Sequence, residues 1–140
     1  MAIETVQAQW IEEHTFLLKD HRGFPVVMTQ PMGVIGADLL PMSLIGCAAW
    51  DVIDILAKQR QQVTALTVSA ESEREDAAPW RFLKITLHYK ISGRNIDPQA
   101  VRRAVALSEG KYCSIYATLR SALELVSTVE LLQADLPPGM

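Results

Sequence analysis

The sequence predicts an α+β domain, and three observations support this fold class. The chain has 140 residues, the size of one ordinary domain. Short segments of alternating polarity, typical of strands, occupy the first third and return after residue 65. Between them lies the longest apolar region, residues 39–50, within a pattern typical of a long helix. The predicted order is a β-meander, a long helix, a hairpin, two helices and a final strand.

The first third is predicted to form an antiparallel meander of three strands. Thr5–Trp10 alternates as a half-buried strand does, and Thr15–Leu18 and Pro25–Met28 are the next two candidates. The segment Asp20–Gly23 has the composition of a turn and separates the second strand from the third.

The long helix is predicted from Asp38 to Arg60. Asp38 is a plausible N-cap, and Pro41 then falls in the first turn, where its missing N–H costs little. The first half is apolar nearly all round, as in a helix surrounded by protein. A helix of about 22 residues is about 33 Å long, enough to form the spine of the domain. Its second half is amphipathic, and one polar face carries Asp51, Asp54 and Lys58.

Two strands and a final strand complete the predicted β structure. Leu66–Ser72 and Phe82–Ile91 alternate and are joined by an acidic connection, so they are predicted to form a hairpin. Glu124–Leu132 is the last strand. The predicted single domain covers residues 1–134, and the tail, residues 135–140, is predicted to be disordered.

Two helices are predicted between the hairpin and the last strand. The first begins with Asp97 as N-cap and Pro98 at N1, and Gly110 is predicted to end it as the C′ residue. The second begins near Cys113 and presents an apolar face of Ile115, Leu119 and Ala122.

Composition and charge argue against several classes of protein. A net charge of −3 and a pI near 5.6 disfavour non-specific nucleic-acid binding. The N-terminus lacks the pattern of a secretory signal, and no stretch reaches the roughly 18 apolar residues of a membrane span. A cytoplasmic protein with no membrane partner is therefore expected. Stable disulfides are rare in that compartment, so the two cysteines of this chain are either inert core residues or active thiols.

The two cysteines lie in different contexts. Cys47 lies in the apolar half of the long helix among small residues, and its plainest interpretation is a small buried hydrophobe. Cys113 lies at or near a helix N-terminus, where free N–H groups and the helix dipole lower a thiol pKa. The residues alone therefore favour Cys113 as the more reactive thiol, and they leave open whether the two sulfurs meet.

Other motifs are weak. The three histidines have no metal-ligand spacing, so no zinc site is predicted. The sequence contains no P-loop, no G-x-S-x-G and no G-x-G-x-x-G, and no cofactor is predicted.

Two blocks resemble the cysteine motifs of the OsmC/Ohr proteins, the osmotically inducible and organic hydroperoxide resistance proteins. The first runs from Gly36 to Arg60 around Cys47 and is similar to the branch with a following "xxxDVxxIL" segment. The second is Leu107-Ser-Glu-Gly-Lys-Tyr-Cys113-Ser-Ile-Tyr-Ala-Thr-Leu119. The element order also matches along nearly the whole chain.

The resemblance implies an OsmC-like α+β fold, with antiparallel sheets packed around a long central helix, in an intertwined homodimer. It implies a peroxidatic Cys47 and a resolving Cys113, with a dithiol reductant restoring both. Asp38 stands at or next to the position of the family's active-site Glu. The family's active-site Arg has no clear counterpart, since Arg22 lies in the turn beyond the corresponding stretch.

The function predicted from this resemblance is a cysteine-based peroxidase that reduces organic hydroperoxides. An apolar pocket around Cys47, formed by Met42, Leu44, Ile45 and Trp50, is expected to favour such substrates. Two alternatives on the same fold remain open: a non-catalytic module that binds an apolar ligand, and a thiol redox sensor.

Overall fold

A computed structural model describes residues 1–30 and 32–133 of the chain. The chain forms two compact units, Met1–Leu40 and Pro41–Met140. The prediction of one domain over residues 1–134 stays a prediction. The tail predicted to be disordered, residues 135–140, lies outside the described residues.

The first unit contains the predicted antiparallel meander. Its strands are β1 (Gln7–Glu12), β2 (Thr15–Lys19) and β3 (Pro25–Met28), paired in that order. The predicted turn before β3 is also present, because the Asp20 carboxylate accepts hydrogen bonds from the backbone N–H groups of Arg22 and Phe24. No residue of the three strands reaches full burial, and β1 is exposed along its length.

The long helix α1 spans Leu39–Lys58 and follows a 3₁₀ turn, Gly36–Asp38. Helical hydrogen bonding therefore begins earlier than predicted. The backbone N–H of Asp38 already donates to the carbonyl of Ile35, so Asp38 lies inside the first turn and the N-cap prediction is wrong. Pro41 falls in the first turn of α1, as predicted.

The second unit contains a three-stranded sheet of β4 (Gln62–Arg74), β5 (Phe82–Arg94) and β6 (Glu124–Gln133). The β4–β5 hairpin is antiparallel, as predicted. The last strand differs from the expected antiparallel arrangement, because β6 pairs parallel to β5. The two helices between β5 and β6 form a crossover, which returns the chain to the same end of the sheet before β6 begins.

Helix α2 spans Pro98–Leu107, and its N-cap is Asp97, whose carboxylate accepts from the N–H of Gln99 at 2.9 Å. The predicted stop at Gly110 is wrong. The chain continues through a π-helical turn, Ser108–Tyr112, and a non-helical residue first appears at Cys113. Helix α3 (Ser114–Leu119) then starts with Cys113 as its N-cap.

The core of the second unit is built on one stripe of α1. Leu44, Ala48, Val52 and Leu56 are spaced four residues apart and are fully buried. They join alternate residues of β5 and one face of α2 in a single apolar cluster.

The segment Gly36–Lys58 is long and apolar enough to cross a membrane by composition, but it supplies this core. Of the residues in its most apolar window 22% are buried, and the others are half-buried or exposed. The prediction of a helix surrounded by protein therefore holds for one stripe only.

Candidate functional site

The two cysteines meet in the second unit, together with Asp51. One turn of α1 separates Cys47 from Asp51, so both side chains lie on the same side of the helix. Cys113 comes to them from the start of α3. The two sulfurs and a carboxylate oxygen of Asp51 all lie within 4.8 Å of one another. Both cysteines are free thiols.

Ser108 connects the cysteine of α3 to the carboxylate of α1. Its hydroxyl, which is fully buried, donates to Asp51 Oδ2 at 2.9 Å. Its carbonyl accepts from the backbone N–H of Cys113 at 2.8 Å, which is the bond that makes this turn π-helical. Single π-helical turns occur frequently at functional sites. Here the turn fixes the position of Cys113 relative to Asp51.

The environment of Cys113 opposes ionisation, contrary to the prediction from its place at a helix start. Burial raises the pKa of its thiol to about 11, and a hydrogen bond to the Cys47 sulfur acts in the same direction. The N–H of Tyr116 donates to Cys113 Sγ at 3.4 Å and lowers the pKa, as a helix N-terminus should. Because the side chain is only 2% exposed, desolvation outweighs this donor.

The same contacts distinguish the roles of the two thiols. Burial and the neighbouring Cys47 sulfur both raise the pKa of the Cys113 thiol, so they favour its protonated form. Cys47 is half-buried, whereas Cys113 is buried. Cys47 is therefore the more accessible of the two thiols to molecules from solvent.

Glu109 organises the polar side of the π-helical turn. Its Oε1 accepts hydrogen bonds from the hydroxyls of Tyr89, at 3.4 Å, and of Ser127. Its carboxylate also acts on the Tyr116 hydroxyl and raises the pKa of that group. Burial, and next the Glu109 charge, raise the pKa of both tyrosines, so their hydroxyls stay protonated as donors. This network ties the turn before Cys113 to β5, β6 and α3.

The outer face of α1, the helix that carries Cys47, forms an apolar groove. A cavity of about 520 Å³ is lined by six residues of this face: Gly46, Ala49, Trp50, Ile53, Asp54 and Ala57. A Cβ atom built on Gly46 would meet nothing within 4 Å. The expected pocket of four apolar residues is divided, because Leu44 is fully buried in the core while Met42 and Trp50 are exposed.

Two further residues from the sequence prediction lie in the first unit. Asp38 is exposed at the end of the 3₁₀ turn. Arg22 is exposed in the β2–β3 turn, and its guanidinium carbon lies 5.5 Å from the centroid of the Phe24 ring. A role for either residue beside Cys47 stays a prediction.

Asp51 is a site residue that the sequence pattern placed on one polar helix face with Asp54 and Lys58. The structure separates the three: Lys58 pairs with Asp54 at 2.8 Å, while Asp51 binds Ser108. The spacing of four residues between Cys47 and Asp51 was the available signal, because it places two side chains on one helix face.

Potential metal ligands in the described residues form one group, Cys47, Asp51 and Cys113. None of the three histidines belongs to this group. Two sulfurs and one carboxylate oxygen are donors that suit a divalent cation such as Zn²⁺.

The fold and the site define a class of protein: an α+β scaffold in which a long apolar helix and a following helix start bring two thiols together. Residues 31–127 match the model of the family described as OsmC-like protein. The chain is also 37% identical over 131 residues to Protein YhfA of Escherichia coli, a match that covers 91% of this chain and 98% of YhfA. The protein therefore belongs to the OsmC-like family, as its motifs predicted.

Solved structures share the fold. A hypothetical protein from Aquifex aeolicus superposes with a TM-score of 0.86 at 27% identity, covering 96% of this chain and all of that one. An organic hydroperoxide resistance protein OsmC from Legionella pneumophila superposes with a TM-score of 0.67 at 13% identity, covering 93% and 99%. At 13% identity the likeness to the Legionella protein establishes the fold alone.

Proposed function

We propose that this protein is a cytoplasmic, thiol-dependent peroxidase that reduces organic hydroperoxides through a two-cysteine cycle. The observation that carries the proposal is the distance of 4.8 Å or less between the sulfurs of Cys47 and Cys113. Two free thiols this close can be joined by a disulfide, whose S–S bond is about 2.05 Å, after a small displacement. Fold relatives named as hydroperoxide resistance proteins support the substrate class.

In the first step the Cys47 thiolate attacks the terminal oxygen of the hydroperoxide. The S–O bond forms as the O–O bond breaks, and the alkoxide leaves as the alcohol after it takes a proton. Cys47 becomes a sulfenic acid. The half-buried position of Cys47, beside a buried Cys113, supports this assignment.

In the second step Cys113 attacks the sulfenic sulfur of Cys47. The S–S bond forms, the S–O bond breaks, and the hydroxide and the Cys113 proton leave as water. A dithiol reductant then exchanges with the disulfide and restores both thiols. Because burial raises the pKa of Cys113 above that of an ordinary thiol, its thiolate fraction at neutral pH is smaller, and this second step is expected to be slower.

The proposal includes a homodimer. The outer face of α1 carries Met42, Trp50 and Ile53, all exposed, beside the open space at Gly46. Contiguous apolar patches of this kind mark interfaces. Separately, three-stranded sheets need a covered apolar face for stability, and the sheet of the first unit has no fully buried residue. A second copy of the chain would cover the outer face of α1 and the sheet of the first unit.

The test is a thiol count on the reduced protein by intact mass spectrometry. Sub-stoichiometric cumene hydroperoxide should remove two thiols per equivalent, faster than hydrogen peroxide does, and yield an intramolecular disulfide. In Cys47→Ser no thiol should be lost, whereas Cys113→Ser should accumulate a sulfenic acid that dimedone traps. Survival of both wild-type thiols through minutes of exposure would refute the peroxidase.

The apolar groove on α1 favours one alternative, a non-catalytic module that binds an apolar ligand. Native mass spectrometry separates the two functions, because a co-purifying apolar ligand in a peroxide-inert protein would support binding. If sulfenic acid forms but turnover with excess dithiol stays poor, the protein is instead a redox sensor.

A further inference from the structure

The cysteine site contains a third anionic group that the peroxidase cycle does not use. The Asp51 carboxylate lies within 4.8 Å of both sulfurs; Asp51 and Cys47 are half-buried, and Cys113 is buried. Three negative charges at this distance repel strongly where water is scarce, so the cluster cannot be fully ionised by itself. A cation among the three atoms would remove this repulsion.

The spacing of the three atoms fits one tetrahedral ion. With Zn–S bonds of about 2.3 Å and Zn–O bonds of about 2.1 Å, tetrahedral geometry places two sulfurs ~3.8 Å apart and sulfur and oxygen ~3.6 Å apart. The observed upper limit of 4.8 Å leaves at most roughly 1.2 Å to be closed between any pair. Side-chain torsions of Cys47 and Asp51 on one helix face can supply such a change without moving α1.

The groups around the cluster are those expected behind metal ligands. The Ser108 hydroxyl holds one carboxylate oxygen of Asp51 at 2.9 Å, which orients the carboxylate. The Tyr116 N–H donates to the Cys113 sulfur and stabilises it as a thiolate. Access from solvent also exists, since Asp51 lines a cavity of about 480 Å³ together with Trp50 and Tyr112.

We propose that the reduced protein binds one Zn²⁺ per chain through Cys47 Sγ, Cys113 Sγ and an Asp51 carboxylate oxygen, with water in the fourth position. Binding displaces the thiol protons, so it strengthens as the pH rises. Two thiolates and one carboxylate suit zinc, which accepts sulfur and oxygen ligands and has no redox chemistry of its own.

The site is controlled by the redox state of the cysteines. A hydroperoxide that oxidises the zinc-bound pair takes two electrons from the two thiolates. One hydroperoxide and two protons then give the disulfide, the alcohol, one water and free Zn²⁺. Oxidation therefore removes two of three ligands and releases the metal, while bound zinc slows the alkylation of the thiols.

The experiment is a titration of the reduced, metal-free protein with Zn²⁺ against a chromophoric chelator, without oxygen or peroxide. We expect one Zn²⁺ per chain with a Kd below roughly 1 µM. Cys47→Ser and Cys113→Ser should abolish this binding, and Asp51→Asn should weaken it at least about tenfold. Asp54→Asn is the matched control, because it removes the neighbouring exposed carboxylate and should leave the Kd unchanged.

Three results would overturn the proposal: a wild-type Kd weaker than roughly 1 µM, an unchanged Kd in Asp51→Asn, or undiminished binding by the disulfide form. If the Asp51 variant does not fold, the rate of thiol alkylation in the wild type still tests the zinc site. Saturating Zn²⁺ should slow the alkylation of both thiols, and an unchanged rate refutes the site. No peroxide enters these assays, so their failure is distinct from a failure of the peroxidase.

Discussion

Replacing Cys113 by serine should remove a specific loss of stability at alkaline pH. The folded pKa of this thiol is about 11, against an ordinary value of 9.0. The folded state therefore holds its proton more tightly than the unfolded state, and stability falls as the pH rises between these values. Between pH 8 and pH 10.5 the linkage relation gives a loss of roughly 1.8 kcal/mol for this one group.

The assay is urea denaturation of the reduced, metal-free protein at both pH values and at one fixed protein concentration. Tyr89 and Tyr116, whose pKa values are also raised, lower the stability of both proteins at high pH, so only the difference between wild type and Cys113→Ser is used. Serine does not titrate in this range. If the two proteins lose stability equally, to within about 0.5 kcal/mol, burial does not control this thiol as argued.

Three further predictions concern stability and are measured by denaturation. Gly93→Ala should destabilise the fold by more than about 2 kcal/mol, since its Cβ would lie 1.9 Å from Ile96 Cδ1 and 2.4 Å from the Gln62 carbonyl; an unchanged midpoint would contradict this. Glu109→Leu should lower the free energy of unfolding by about 2–3 kcal/mol, because buried hydroxyls lose their acceptor. The milder Tyr89→Phe should lower it by about 1 kcal/mol. The reverse order of the two losses would refute the network. Lys58→Ala should change stability by less than about 0.5 kcal/mol despite the 2.8 Å ion pair with Asp54, because both side chains are exposed. A larger loss would contradict the prediction that this surface pair contributes little.

Local patterns in the sequence predicted most of the elements. Period-two alternation located the strands, and the Asp97–Pro98 pair located the start of α2, because a cap and a proline act within a few residues. The prediction failed at Gly110 for a physical reason. The hydrogen bond from Cys113 to Ser108 extends the helix by a π-helical turn, and contacts of Glu109 with other elements hold that turn in place.

The family, the element order and the identity of the two cysteines follow from the sequence alone, because motifs and periodicity are properties of neighbouring residues. The meeting of the sulfurs, the presence of Asp51 beside them and the retained proton of Cys113 emerge only from the packed chain. Proximity across 66 positions depends on how α1 and α3 pack. Desolvation depends on which side chains surround the thiol, and here it outweighs the helix N-terminus that local sequence could identify.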